Sequence, residues 1–493
     1  MPYQPTLTSL RSHPLPKWFD DAKLGIFIHW GLFSVPAWAP TGVSIKELFQ
    51  KMASGKTTLF ESPYAEWYLN NLKQPGSQTQ ARHARIYGSE FPYEAFAPMF
   101  NAAIQTWEAD SWADLFQEAG ARYVVLTSKH HDGFTLWQPR VVNPKRPGYH
   151  AERDLVGELT SAVKKRGMRM GLYYSGGLDW TFNPAPVLEL ADLFATIPQD
   201  DAYVAYCLNH WNELIERYEP AILWNDIGMP YRVKTRELFA RYYNRYPEGV
   251  VNDRFSLGLG PLTGLLKVKW IKRWFSNLII RQLSKEVMMS ANFGGHYDFI
   301  TPEYSSLKAI FPRKWEATRG LGNSFGYNQA ETEEDYLSVT DLIRLFVDIV
   351  SKNGNLLLNV GPQADGSLPA AQAARLRSLG RWLAVNGEGI FESRPWARAE
   401  GVCQSGREQL SLRFTQKDGR LYCFIFGKPG DSTLFLPGVR AQEGSRIRLL
   451  GSEGRLAWQQ EDAGLRATLE AKVLQEALNE SANCLEISPA PII

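Results

Sequence analysis

The sequence predicts an α/β chain built as a (β/α)8-type barrel followed by a C-terminal antiparallel β-sandwich. Three observations predict it. Short apolar runs recur, each ending in polar residues. Segments with apolar residues at helical spacing lie between them, and from about residue 395 the pattern changes to period-two alternation broken by turns. Runs apolar on both faces suit parallel strands covered by helices, whereas alternation suits a sheet with one face in water.

The runs, in order, are LGIFIH (24–29), YVVLTS (123–128), MRMGLYY (168–174), AILWND (221–226), GVVNDR (249–254) and LLLNV (356–360). Helical spacing is present over 110–119, 153–166, 203–218, 234–246 and 336–351. Gly120, Gly167 and Gly354 stand where a helix end calls for a left-handed residue before the next strand. Repeated strand–helix units favour a parallel barrel over a nucleotide-binding sheet, and neither GxGxxG nor GxxxxGK[ST] follows the first strand. The barrel is expected over 1–392 and the sandwich over 393–493, where LSLRF, LYCFIF and STLFLPG alternate and KDG and GSEG mark hairpin turns.

Composition narrows the function. Lys and Arg number 54 against 52 Asp and Glu, a net charge of +2 that gives no general reason to expect nucleic acid or a membrane as partner. With 44% hydrophobic residues the chain is not a disordered or fibrous one. Cys207, Cys403, Cys423 and Cys484 lack CxxC spacing and are expected as reduced thiols. No basic segment followed by an apolar one opens the chain, and the uncharged stretch Leu24–Ile45 is broken by His29, Pro36 and Pro40. A cytoplasmic location is therefore expected. The 16 Trp, 21 Tyr and 25 Phe suit a large core and equally suit carbohydrate, whose apolar faces stack on aromatic rings.

One segment stands apart. Residues 256–295 carry Lys267, Lys269, Lys272, Arg273, Arg281 and Lys285 against the single acid Glu286, with apolar residues at helical spacing. This basic amphipathic insertion reads as a lid, a membrane-surface helix, an oligomer contact, or a helix packed on the barrel rim with its lysines in water.

In such a barrel the C-terminal strand ends face the active site, so polar residues there are candidates for chemistry. The first run ends in His29, and the second leads into His130, His131 and Asp132. Adjacent histidines suit a metal, but barrel metallohydrolases typically carry HxH on the first strand, and this chain has one His there. Neutral imidazoles also donate and accept hydrogen bonds, which suits a polyhydroxylated ligand. The fourth run ends in Asp226 and the fifth in Arg254. A plain salt bridge and a nucleophile kept ionised by a cation are both readings of that pair.

These stretches, WFDDAKLGIFIHWGLFSVPAW (18–38), EWY (66–68), WADLFQEAGARYVVLTSKHHDGFTLW (112–137), GLYYSGGLDW (171–180), LWNDIG (223–228), VNDR (251–254) and WEATRGLGNSFGYN (315–328), closely resemble the α-L-fucosidases of glycoside hydrolase family 29. The resemblance covers nearly all of 15–395. It implies a retaining exo-glycosidase that releases terminal α-linked L-fucose from glycans or glycosides, with no cofactor and no metal. By motif matching it places the nucleophile on Asp226 and the acid/base on Glu303, within DFITPEY. His29, Glu66, His130, His131, Tyr173 and Arg254 would hold the sugar hydroxyls and the nucleophile, and Trp67, Trp224 and Phe325 would form apolar walls. The insertion separates Arg254 from Glu303, which makes Glu286 and Glu316 rivals for the acid/base. Met229 stands where relatives often carry Trp. The expected partner is a fucosylated oligosaccharide or glycoside, with a homo-oligomer possible. A lectin without turnover and a metal hydrolase using His130 and His131 are the competing classes.

Overall fold

Seven strands form one parallel sheet: β1 (Leu24–Ile28), β2 (Tyr123–Lys129), β3 (Arg169–Ser175), β4 (Ile222–Asp226), β5 (Val250–Val251), β6 (Trp315–Gly320) and β7 (Gly354–Val360). The computed structural model describes residues 2–53, 57–255, 260–283, 295–470, 472 and 478–490. The strand order is β5-β4-β3-β2-β1-β7-β6. Single bridges join the two edges, Asn252 to Phe299 and Ile300 to Trp315, so residues 299–300 stand in the place of an eighth strand and the sheet curls into a barrel.

Period-two geometry sorts the strand residues. Phe27, Tyr123, Val125, Tyr173, Ile222, Trp224, Val250, Phe299 and Leu357 pack as one buried cluster inside the barrel, with Phe19 and Ala22. Their neighbours Ile26, Ile28, Val124, Leu126, Leu172, Leu223, Leu356 and Leu358 belong to the cluster shared with the surrounding helices. A one-residue slip would recover the ladder hydrogen bonds but send both rows to the wrong face. Each fully buried large apolar side chain contributes about 1.5–3 kcal/mol, so burial rather than hydrogen bonding fixes the register.

The helices lie close to their expected places: Ala109–Glu118, Leu155–Lys165, Asp201–Tyr218, Thr235–Arg245 and Val339–Ser351. Asp154, Asp200 and Ser338 cap three of them by accepting from the N–H groups of Gly157, Tyr203 and Asp341. Gly120 and Gly167 adopt φ of 85° and 74°, as expected of left-handed ends. Gly354 does not. Asn353 takes that conformation instead (φ 75°), since Asn tolerates the left-handed region, and Gly354 begins β7, where a Cβ would stand 2.6 Å from Trp315.

Two barrel features differ from the sequence reading. β6 was hidden because Glu316, Thr318 and Arg319 interrupt its apolar character. The VVNDR run keeps only Val250–Val251 as strand, since Asp253–Phe255 turns into a 3-10 helix that carries Arg254 across the barrel top.

The antiparallel part starts at Arg394. Its strands are β8 (Arg394–Ser405), β9 (Glu408–Lys417), β10 (Arg420–Phe426), β11 (Thr433–Pro437), β12 (Arg446–Leu449), β13 (Ala457–Glu461), β14 (Gly464–Thr468) and β15 (Ala482–Ser488). They form one sheet, ordered β12-β15-β10-β9-β8-β11-β14-β13, folded over a core that includes Trp396, Phe414, Leu421, Leu436, Ile447, Leu465 and Leu485. The KDG turn makes the expected β9–β10 hairpin, with Asp418 and Gly419 at positive φ. GSEG is not a hairpin of paired strands. β12 pairs with β15 and β13 with β14 at opposite ends of the sheet, and the Leu456 N–H donating to Ile447 O (2.8 Å) nearly closes it. No helix among the described residues is long and apolar enough to cross a membrane, and the four cysteines are free and buried.

Candidate active site

The inward rows of the barrel continue upward into polar residues. Two positions beyond Phe27 is His29, two beyond Trp224 is Asp226, and two beyond Leu357 is Asn359. The alternation that fills the barrel with aromatic rings therefore aims these side chains at one point above it.

Asp226 accepts from two donors there. Tyr173 hydroxyl donates to its Oδ2 (2.9 Å) and Arg254 Nη1 to its Oδ1 (3.0 Å). His131 Nε2 lies 4.0 Å from Oδ2. The turn after Asp226 is unusual, with Ile227 at φ 56° and Gly228 at 79°. Asn225 Nδ2 holds it by donating to the carbonyls of Gly228 (2.7 Å) and Arg254 (3.0 Å). Across from it, a Cβ on Gly177 would stand 1.9 Å from Ile227 O, so only glycine admits the β3 loop against this turn.

Arg254 gathers the site. Besides Asp226, its Nη2 donates to Glu303 Oε2 (3.2 Å) and Thr301 O (3.0 Å), and its Nε to Thr301 Oγ1 (2.8 Å). Its guanidinium lies 4.8 Å from the Trp224 ring centroid, and the nearby carboxylates hold it firmly protonated against burial. The second Glu303 oxygen, Oε1, accepts from Tyr64 hydroxyl (2.8 Å). The two acids thus meet on two nitrogens of one planar cation.

Three histidines line the cup, and burial pushes all three toward the neutral form: His29 down to about 3, His131 down to about 4, and His130 well below its ordinary value. Asn359 donates through Nδ2 to Phe325 O (2.6 Å), so its Oδ1 faces His29 Nδ1 (2.7 Å) and fixes that nitrogen as the donor. Ser175 hydroxyl donates to Leu178 O (2.7 Å) and so accepts from His131 Nδ1 (2.7 Å). Both Nε2 atoms are left as acceptors. His130 Nδ1 and Trp180 Nε1 have no protein partner among the described residues.

Glu66 is buried beside Phe325 and accepts from the Gly326 N–H (2.8 Å) and Ser324 hydroxyl (3.3 Å). Burial raises its pKa to about 7. Trp67 and Phe325 pack with Tyr64 and Trp180 as an apolar wall, with Trp67 edge-on to His131. Trp224 is the third aromatic residue expected as a wall. It is 2% exposed, belongs to the barrel interior, and supports Arg254 from below.

The sequence offers two rivals of Glu303. Glu286 lies outside the described residues. Glu316 is fully buried near the start of β6, where Tyr123 hydroxyl (2.5 Å) and Trp224 Nε1 (3.1 Å) donate to it beneath the cup. Burial raises the Glu316 pKa from 4.5 to about 7. A raised acid keeps its proton in the folded state while the unfolded chain releases it, so its contribution to stability falls as pH rises from about 4.5 to about 7. Glu316→Gln lacks this dependence. Chemical denaturation at acid and neutral pH should show the variant gaining relative to the parent protein as pH rises, and parallel pH dependences would contradict the buried assignment.

Tyr64, Asn359, Ser324 and Thr301 were not singled out in the sequence. Asn359 was legible as the next inward position of its strand; the others act from loops whose spacing carries no period. Among the described residues, no three His, Cys, Asp or Glu side chains are grouped as a metal would require.

The comparisons with known proteins show the family of the chain. Residues 1–388 match the family model described as alpha-L-fucosidase. The chain is 33% identical over 471 residues to the tissue alpha-L-fucosidase of Rattus norvegicus, covering 93% of this chain and 86% of that one. It is likewise 33% identical over 466 residues to the alpha-L-fucosidase of Dictyostelium discoideum, covering 92% and 87%. Among solved structures, the Thermotoga maritima alpha-fucosidase with a mechanism-based inhibitor superposes with a TM-score of 0.82 at 38% identity, covering 98% of this chain and 99% of that one. The same enzyme in complex with fucose gives 0.81 at 37% identity, covering 98% and 100%. The chain belongs to the alpha-L-fucosidase family, the glycoside hydrolases of family 29.

Proposed function

We propose that the enzyme is a retaining, exo-acting α-L-fucosidase that removes terminal α-linked L-fucose by double displacement. The observation that carries this reading is the shared guanidinium: Arg254 holds Asp226 and Glu303 together on Nη1 and Nη2. Retaining enzymes need two carboxyl groups only about 5–5.5 Å apart, since one attacks the sugar directly and no water stands between.

Asp226 attacks the anomeric carbon while Glu303 gives its proton to the leaving oxygen, forming a covalent fucosyl-enzyme and a free alcohol. Glu303, now ionised, takes a proton from water; that water displaces Asp226 from C1 and releases fucose with its configuration kept. The first step needs a proton on Glu303, so the entering sugar has to take its Oε2 away from Arg254 Nη2. Arg254 and Tyr173 stay on Asp226 and stabilise the carboxylate as it leaves in the second step.

His29, His131 and Glu66 accept from sugar hydroxyls, with His130 as a further partner, while Trp67 and Phe325 line the apolar side. Hydrogen bonding dominates sugar choice in this arrangement. Burying the C6 methyl contributes about 0.8 kcal/mol, roughly fourfold, whereas a site built for particular hydroxyls rejects the wrong sugar by about 10⁴. Proton NMR of the first product formed from an aryl α-L-fucoside tests the stereochemistry. α-L-Fucose before mutarotation is the expected result; β-L-fucose would require a single displacement and overturn the reading.

A further inference from the structure

The helix Lys269–Leu283, which follows a 3-10 stretch over Gly260–Lys267, plays no part in the reaction above. One side of it is anchored. Ile271, Phe275 and Ile279 pack toward Ala191, Phe194 and Leu266, and Lys272 donates to Asp192 (3.0 Å). Ser276 ties the same side down, donating to Glu189 Oε2 (3.2 Å) and accepting from the Ala191 N–H (3.1 Å). Positions 270, 274 and 278 recur every four residues on the other side, and there Trp270 is 73% exposed, Trp274 62% and Leu278 39%. Lys269 and Arg273 flank this stripe, also exposed.

Charge decides what covers the stripe. Residues 260–283 contain Lys267, Lys269, Lys272, Arg273 and Arg281 and no acid. A two-fold contact between copies would set this face against itself, opposing cation to cation with no carboxylate on either helix to answer them. A sugar chain reaching out of the pocket is also a poor fit, because Ile279, on the anchored side, packs against the cluster that walls the active site, and the Trp stripe points away from it. An anionic bilayer surface matches every feature: indole rings settle at headgroup level, Leu278 enters the acyl boundary, and Lys269 and Arg273 meet lipid phosphates. A net charge of +2 for the whole chain hides this local excess.

We propose that the outer face of helix Lys269–Leu283 docks the enzyme on anionic lipid surfaces through Trp270, Trp274 and Leu278, with Lys269 and Arg273 supplying the charge. The proposal rests on this face alone and is independent of the assignments of Asp226 and Glu303. Full-length protein is sedimented with vesicles of phosphatidylcholine containing about 30 mol% phosphatidylglycerol, and with phosphatidylcholine vesicles as control. Partition onto the anionic vesicles only is expected, with release at about 1 M salt, where the screening length falls to about 3 Å. Trp270→Ala/Trp274→Ala and Lys269→Glu/Arg273→Glu should each weaken it by about tenfold or more while hydrolysis of a soluble aryl fucoside stays unchanged. Absence of binding, equal binding to both vesicle types, or full binding by either double variant would overturn the proposal. So would sedimentation-velocity evidence that the same substitutions split a dimer, which would assign the face to a second copy of the chain.

Discussion

Asp226→Gly should lower kcat on an aryl α-L-fucoside by about 10⁴-fold or more, with the protein still folded. The size follows from the role: without this carboxylate no covalent intermediate forms, and the remaining groups only bind and polarise the sugar. Folding should survive, because Arg254 keeps Thr301 and Glu303 as partners and the turn after residue 226 is held by Asn225. Truncation also opens space beside C1. Azide entering there attacks the anomeric carbon, the aryloxide departs, and the product is the fucosyl azide of inverted configuration. Recovery of turnover with that product supports the assignment. A variant that retains the parent rate, or gives no azide adduct while binding fucose normally, contradicts it.

Glu303→Ala should instead divide substrates by leaving group. Loss of a general acid costs about 10²–10⁴-fold where the departing alcohol needs a proton, as in fucosylated oligosaccharides. Aryl fucosides with acidic phenols leave without that help, so their first step should fall far less, and the missing base should make the second step limiting. Comparing kcat/KM for an oligosaccharide and an activated aryl fucoside measures the difference directly. Equal losses on both would move the acid to another residue. Glu316 is a poor substitute, since Tyr123 and Trp224 occupy its two oxygens below the cup.

How much of this was legible in the sequence depends on periodicity. Strands apolar on both faces announced the parallel barrel, and the alternation that puts Phe27 and Trp224 inside also puts His29 and Asp226 at the rim. β6 escaped because its charged residues are satisfied locally: Glu316 by two donors inside the barrel and Arg319 by Gly320 O (3.0 Å). Such pairing is invisible to a pattern of residue types. Glu303 came from resemblance alone, since it sits in irregular chain beyond the insertion, held by an isolated bridge to Thr318 and by Tyr64 across 239 positions. Motif matching named the neighbourhood of Trp224, and the register sets its ring against Phe27 and Tyr173. The exposed Trp270 and Trp274 were likewise unreadable, because helical spacing shows an apolar stripe without saying which stripe the barrel covers.

The most direct test of the two-carboxylate account is to trap the intermediate. A 2-deoxy-2-fluoro fucosyl fluoride keeps a good leaving group but destabilises the oxocarbenium-like transition state of both steps, so the covalent species accumulates. Digestion and mass spectrometry should find one fluorofucosyl group per chain, on the peptide containing Asp226 and on that side chain. A label on Glu303 or Glu66, or inactivation that leaves no covalent adduct, would contradict it.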